Sequence, residues 1–437
     1  MTLPPHLLAA VEQSRVHNRM VAEGRVRAIS GIAIKVTGLR AAIGDVCTIA
    51  TQGGREQVLA EVVGFDGGDA VVLALGDQHG IAPWDPVHND HRALQVPTGP
   101  QLLGRVVDAL GRPIDGGPPI EAPLRPITAR APTPLQRAPI TEPVETGVAA
   151  IDGFATCARG QRLGIFAGSG VGKSTLLGTI ARSPAAQVNV IALIGERGRE
   201  VGEFLMESLG REGMAKSVVV ACTSDQAPML RLKAPLVAVT IAEAFRDQGM
   251  DVLFLMDSVT RYAMAAREVG LAAGEPPTLR GYPPSLFARL PQLVERLGND
   301  GRGSITGMLT VLVDGDDMNE PVADALRGYL DGHLVLSRRL AERGRFPAVD
   351  VLASISRLMT KVTPPEHQQR ARKVREWLAH YEENRDLVTV GAYKKGGDPL
   401  LDQAIARMPQ IEQLLFHGAG SRPVAETTRL LQQVAGG

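Results

Sequence analysis

The chain has 437 residues with 47 Lys and Arg against 47 Asp and Glu, and its 44% apolar and 22% charged fractions are those of a soluble globular protein with room for several domains. Zero formal net charge excludes wholesale electrostatic capture of nucleic acid or an anionic membrane, and three widely spaced cysteines, Cys47, Cys157 and Cys222, argue against a disulfide framework or a CxxC metal or redox site. No apolar run approaches the roughly 18 residues needed to cross a bilayer, and the opening MTLPPH lacks the basic and long apolar regions of a secretory signal, so cytoplasmic residence is the expectation.

Residues 1–20 carry Leu7, Leu8, Val11 and Val16 at roughly helical spacing after a double proline, which predicts a short amphipathic helix, either packed on its own domain or free as a docking handle. Between 21 and 92 the period changes to two. Ile32, Ile34 and Val36 alternate, as do Val58, Ala60 and Val62, then Val71, Leu73 and Leu75, with Gly-rich turns between them, so this segment reads as a small antiparallel sandwich or barrel. Residues 93–360 form the central unit. It begins with a Pro- and Gly-rich connector, and from about 147 short apolar strands alternate with helical stretches, the pattern of a mainly parallel α/β sheet. Strands are predicted at 162–167, 189–194, 217–221, 251–256 and 304–313. From 361 to 437 the strands stop and a helical bundle is expected. Thr363 to Glu366 has the spacing of a capping box, and a second helix is predicted with Asp398 as N-cap and Pro399 at N1, bent or ended at Pro409.

The sharpest chemical signal is AGSGVGKST, residues 167–175, between a predicted strand and an apolar helix. Phosphate binding needs inward-facing backbone N–H groups, and Gly168, Gly170 and Gly172 permit that turn while Ser169 and Val171 complete it. Lys173 is placed to reach the β- and γ-phosphates, Ser174 to ligate Mg²⁺, and Thr175 to extend the helix N-terminus that faces the same anion. Asp257 ends the strand at 251–256, where a carboxylate either supports Mg²⁺ or caps the next helix; the P-loop favours the metal role. Glu196, in GERGRE after the strand at 189–194, fits two roles equally on pattern alone: polarising the attacking water, or pairing with a neighbouring arginine. His88 and His91 have no further ligands at metal-site spacing, and Arg370, Arg372, Lys373 and Arg375 read as a solvated helix face.

Across almost its whole length the chain resembles the export ATPases of flagella and type III secretion injectisomes, relatives of the catalytic subunits of rotary ATP synthases. The resemblance lies in GRVVDALGRP (104–113), LQRAP (135–139), IFAGSGVGKS (165–174), LIGERGREV (193–201), MDSVTRYAM (256–264), GEPP (274–277) with GYPP (281–284), and SISR (354–357). It implies an N-terminal β-barrel, a central RecA-like P-loop domain and a C-terminal helical domain. It implies ATP hydrolysis with Mg²⁺ in a homohexameric ring that assists protein export, including substrate unfolding or chaperone release. Glu196 then matches the catalytic carboxylate, and Arg357 the arginine that a neighbouring subunit offers to the γ-phosphate. Arg197 and Arg261 lie in matched motifs that arrange the site. Phe346 stands where relatives hold an aromatic against adenine and Tyr393 is a second candidate for that lip, although both positions also suit a core aromatic. The implied partners are a stator-like ATPase regulator at the N-terminus, a coiled-coil stalk in the pore near 274–284, export chaperone–substrate complexes and a membrane-embedded export gate. A rotary synthase subunit is the alternative, disfavoured by the blocks at 274–284. A hexameric RNA translocase shares the core, but neutral charge and 4% aromatic residues give base stacking little support.

Overall fold

The computed structural model describes residues 22–51, 56–313 and 317–436, so the expected N-terminal helix lies outside the described residues. Strands β1 (Ala22–Ser30), β2 (Ala33–Thr37), β3 (Val46–Thr51), β4 (Glu56–Asp66), β5 (Asp69–Ala74) and β6 (Pro86–Asn89) close into a six-stranded barrel in the order β1-β2-β5-β4-β3-β6. Period-two patterning drives this closure, because Val26, Ile34, Ile49, Val62, Val72 and Val87, each 0% exposed, meet inside it. Gly67 and Gly68, both at positive φ, make the tight β4–β5 turn that L side chains resist.

In the connector, β7 (Gln95–Pro97) pairs antiparallel with β9 (Leu124–Pro126), while β8 (Val106–Val107) joins the edge of a larger sheet. That nine-stranded sheet contains β10 (Arg162–Ala167), β11 (Val188–Glu196), β12 (Ser217–Thr223), β13 (Asp251–Asp257), β15 (Ser304–Leu312), β16 (Gly332–Leu336) and β17 (Ile355–Ser356), with β14 (Gly298–Asn299) folded back on β15. Its order is β17-β16-β10-β15-β13-β11-β12-β8, parallel except at β16–β17 and β14–β15. Continuous apolar runs such as Val190–Ile194 are buried on both faces, as a covered parallel sheet requires. On one face Val190, Ala192 and Phe254 pack under the helices Pro228–Arg246, Val259–Ala272 and Pro284–Glu295. On the other, Leu163, Ile165 and Leu193 pack under the helix Lys173–Arg182 and join a core that extends into the C-terminal helices.

Those helices span Pro365–Thr389, Pro399–Leu415 and Val424–Gly436. Asp398 caps the second as expected, its Oδ1 accepting from the backbone N–H groups of Leu400 and Leu401 at 2.9 and 3.1 Å. The capping box at 363–366 does not form. The Thr363 hydroxyl instead donates back to the Met359 carbonyl at 2.7 Å, and the long helix starts on Pro365, which needs no N–H partner. Pro409 does not end its helix either, because Met408 and Ile411 on either side of it are held in the core. Nor is the basic run wholly solvated: Arg375 donates to the carbonyls of Phe154 and Ser354 at 2.8 and 3.1 Å and ties the bundle to the central domain.

Candidate active site at the carboxyl edge of the sheet

The strand order lays the functional residues along one edge. β10 ends at Ala167, and the chain turns through Gly170 and Gly172, at φ 78° and 85°, into the helix Lys173–Arg182. Gly172 is the N-cap and offers no side chain, so the N–H groups of the first turn are left for an anion. β15 lies next to β10, then β13, then β11, which brings Thr310, Asp257 and Glu196 beside Lys173.

The Lys173 ammonium donates to Asp257 Oδ1 at 2.5 Å and stands 3.6 Å from Glu196 Oε1. Thr310 donates its hydroxyl to the same Asp257 oxygen at 2.7 Å. Asp257 is therefore a buried carboxylate fixed by two donors at the point where the strand order can receive a ligand. Glu196 differs. Its Oε1 is buried with no hydrogen-bond partner among the described residues. Burial first, then the nearby Asp257 charge, pushes its carboxyl up to about 7 against the pull of Lys173. A space of about 220 Å³ opens beside Ser174, Glu196, Glu200 and Asp257. One hydroxyl and several carboxylates around an orphaned oxygen suit a hydrated Mg²⁺ and an ordered water.

A second cleft, about 330 Å³, runs along the other side of the P-loop helix between Leu176, Thr179, Phe346, Pro347, Gly418 and Ala419. The Phe346 ring covers Gly172 so closely that a Cβ there would lie 3.2 Å from it. The loop after Phe416 is pinned here, with Gly418 N–H donating to the Phe346 carbonyl at 2.9 Å and the Thr179 hydroxyl to the Ala419 carbonyl at 3.2 Å. Tyr393 does not line this cleft. Its hydroxyl donates to Asp398 and Asp402 at 3.0 Å in the turn before the helix Pro399–Leu415, which fixes the ring there.

The arginines divide. Arg261 lies against the turn at Gly195, where a Cβ would come within 2.9 Å of its own Cβ, and its Nε is buried without a partner among the described residues. Arg197 points to Glu200 at 3.2 Å with an exposed side chain and does not join Lys173. Arg357 follows β17 at the opposite edge of the sheet. Its N–H donates to the Asp331 carbonyl, and Asp331 N–H donates to the Arg162 carbonyl, so Arg357 is level with the first residue of β10. At about 3.3 Å per residue it stands roughly 20 Å from its own P-loop. Its exposed guanidinium donates to the Arg327 carbonyl at 3.2 Å.

Two features escaped the sequence reading. Thr310 is hidden in an apolar run, although its position opposite the end of β13 follows once Met256 pairs with Leu309. The Gly418–Ala419 wall carries no chemical signature, and only the fold brings it to the P-loop.

Comparison with known proteins agrees with this arrangement. Residues 147–356 match the ATP synthase alpha/beta family, nucleotide-binding domain, residues 26–89 match the beta-barrel domain of that family, and residues 363–433 match the T3SS EscN ATPase C-terminal domain. The chain is 50% identical over 424 residues to the flagellum-specific ATP synthase of Pseudomonas aeruginosa, covering 95% of this chain and 94% of the relative. It is 49% identical over 406 residues to a type 3 secretion system ATPase of Xanthomonas euvesicatoria, covering 93% and 92%. The solved structure of the assembled ATPase EscN from enteropathogenic E. coli superposes with a TM-score of 0.89 at 42% identity over 94% of this chain and all of that one, and the same ATPase with its central stalk EscO gives 0.86. Three matched domains in this order, with identity near 50% to such relatives over nearly the full length, make the chain a member of the ATP synthase alpha/beta family, in its branch of flagellum-specific and type 3 secretion ATPases.

Proposed function

We propose that this protein hydrolyses ATP at sites completed between copies of itself and uses the turnover to assist protein export through a flagellar or type III apparatus. The observation that carries the reading is the Lys173–Asp257–Glu196 cluster beside the P-loop, with Arg357 about a strand length away on the opposite edge.

In the nucleotide-free chain Lys173 is held by the two carboxylates. An arriving triphosphate offers the ammonium a denser negative charge, and Lys173 moves onto its β- and γ-oxygens while the loop amides around Gly170 and Gly172 take the remaining oxygens. Ser174 and Asp257 would hold Mg²⁺, which when bound neutralises phosphate charge. Glu196, relieved of its ammonium, accepts a hydrogen bond from water and then its proton as the γ-phosphoryl transfers, giving ADP and phosphate. The cleft under Phe346 suits the adenine ring, with Leu176 and the Gly418–Ala419 backbone as its other walls. Arg357 cannot reach the phosphates of its own chain, so a neighbouring copy must present it; such a finger contributes ~10³ to 10⁵ in rate.

This requires a closed ring, a homohexamer on the family's pattern, and the assembled EscN structure favours self-assembly here too. The complex of EscN with its central stalk supports a coiled-coil partner in the pore. A stator-like regulator at the N-terminus, chaperone–substrate complexes and a membrane export gate complete the proposed set. Among the described residues no helix is long and apolar enough to cross a membrane, in keeping with a peripheral position in the cytoplasm. The match at 363–433 favours export over a rotary synthase subunit. The deciding experiment is Glu196→Gln: nucleotide binding should persist while hydrolysis falls ~10² to 10⁴-fold, and near-normal hydrolysis would return Glu196 to a mere ion-pair role.

A further inference from the structure

The cavity of about 900 Å³ that lies between the barrel, the connector and the helices Pro228–Arg246, Val259–Ala272 and Pro284–Glu295 is separate from the P-loop. Much of its wall is apolar, with Val63 from the barrel facing Met229, Leu232 and Leu236 on one helix and Leu293 on another. Its charged lining is largely self-satisfied. Lys233 pairs with Glu61 at 2.6 Å, Arg296 with Glu243 at 2.7 Å, and Glu295 with Arg137 and Arg162.

Three groups are left over. Arg130 and Arg289 line the space with no carboxylate partner among the described residues. Tyr262 is 2% exposed and also faces it, and its hydroxyl makes no hydrogen bond to any described residue. Buried hydroxyls are nearly always partnered, so one turned into an open space marks a place for a ligand atom or water. Burial pushes this phenol up to about 12 and the Arg289 cation pulls the other way, and both side chains line the same space. A space of this size, with an apolar wall and a few polar groups left without partners on its lining, has the build of a small-molecule pocket.

We propose that this cavity binds an amphipathic organic anion, its head group on Arg289, Arg130 and the Tyr262 hydroxyl and its apolar body along Leu232, Leu236 and Val63. The helix that carries Tyr262 begins at Val259, two residues after Asp257. An occupant therefore touches both the barrel and the element that positions the site carboxylate, and its presence alters turnover. Binding itself does not depend on hydrolysis, so this site and the proposed activity can fail independently.

The test is calorimetric titration of the full chain without nucleotide, with decanoate as the probe, decanol as the same body without charge and acetate as the head without a body. Decanoate should saturate one site per chain, and decanol and acetate should bind at least about tenfold more weakly, as the loss of a charge-assisted contact or of the apolar contact demands. Arg289→Ala should lose at least about tenfold in decanoate affinity, Leu232→Trp, which reshapes the apolar wall, should weaken decanoate binding, and Arg343→Ala, an exposed arginine elsewhere, should bind as wild type. Absence of saturable binding, decanol as tight as decanoate, or unchanged affinity in a folded Arg289→Ala chain would overturn the proposal. Saturating decanoate should also change ATP turnover in the wild type and not in Arg289→Ala; an unchanged wild-type rate would overturn the regulatory half.

Discussion

On the proposed mechanism, Lys173 holds the place that a metal and a triphosphate would take. Its ammonium stands between a buried and a half-buried carboxylate that would otherwise repel each other. The uneven treatment of those carboxylates fits the roles proposed for them: Asp257 takes hydrogen bonds from Lys173 and Thr310, whereas Glu196 keeps a bare oxygen and a carboxyl raised to about 7. A general base must be ionised. As pH falls through about 7, Glu196 takes up a proton, and kcat/KM should fall with it on an acid limb centred there. The residual rate of Glu196→Gln should lack that limb, and an unaltered profile in that variant would assign the ionisation elsewhere. Thr310→Val removes one of the two donors to Asp257 while preserving shape. A hydrogen bond to a charged group contributes ~1.5 to 3 kcal/mol, so the variant should unfold more easily and need more Mg²⁺ for half-maximal turnover; a wild-type Mg²⁺ requirement would make Thr310 purely structural.

At the scale of elements, the P-loop helix is wedged against the π-helical turn Phe204–Leu209, whose backbone continues from the acidic lining of the metal-side space. A Cβ at Gly178 would overlap the Ser208 carbonyl, so helix and turn touch backbone to backbone. Gly178→Ala should cost about 1 to 3 kcal/mol through overpacking and lower the thermal midpoint. Gly202→Ala, where a Cβ meets nothing within 4 Å, should leave the midpoint unchanged or raise it; equal effects would refute the wedge. The same scale explains what could be read in advance. β10, β13 and β15 were legible because buried parallel strands are apolar runs closed by turns, and the glycines and Lys173 of the loop carry their chemistry in their identity. β16 and β17 were not, since Gly332–Leu336 is short and gains its strand character from pairing with β10 on one side and the two-residue β17 on the other. Glu196 ends β11 rather than following it, because β12 carries on past a register shift after Ile194 to pair Thr223 with Glu196, whereas pairing with β13 stops at Leu193. Thr310 and the Gly418–Ala419 wall are tertiary features, with nothing local to announce them.

At the scale of the whole molecule, the C-terminal bundle is clipped to the nucleotide domain close to the P-loop. Arg422 N–H donates to the Gly147 carbonyl and the Glu145 carboxylate accepts from Val424 N–H, while the loop between them and Phe416 walls the cleft beside Phe346. Occupancy of that cleft is therefore felt by the bundle. Arg357, however, is about a strand length from its own P-loop, on the other edge of the sheet. On the proposed mechanism its charge reaches the γ-phosphate from a second copy, and catalysis is a property of the assembly. The most direct measurement mixes two inactive proteins, Lys173→Ala, which keeps its arginine, and Arg357→Ala, which keeps its P-loop, and follows ATP turnover as their ratio is varied. Shared sites predict that activity appears only in the mixtures and peaks near equal amounts. Mixed assemblies that stay as inactive as either parent would contradict the account.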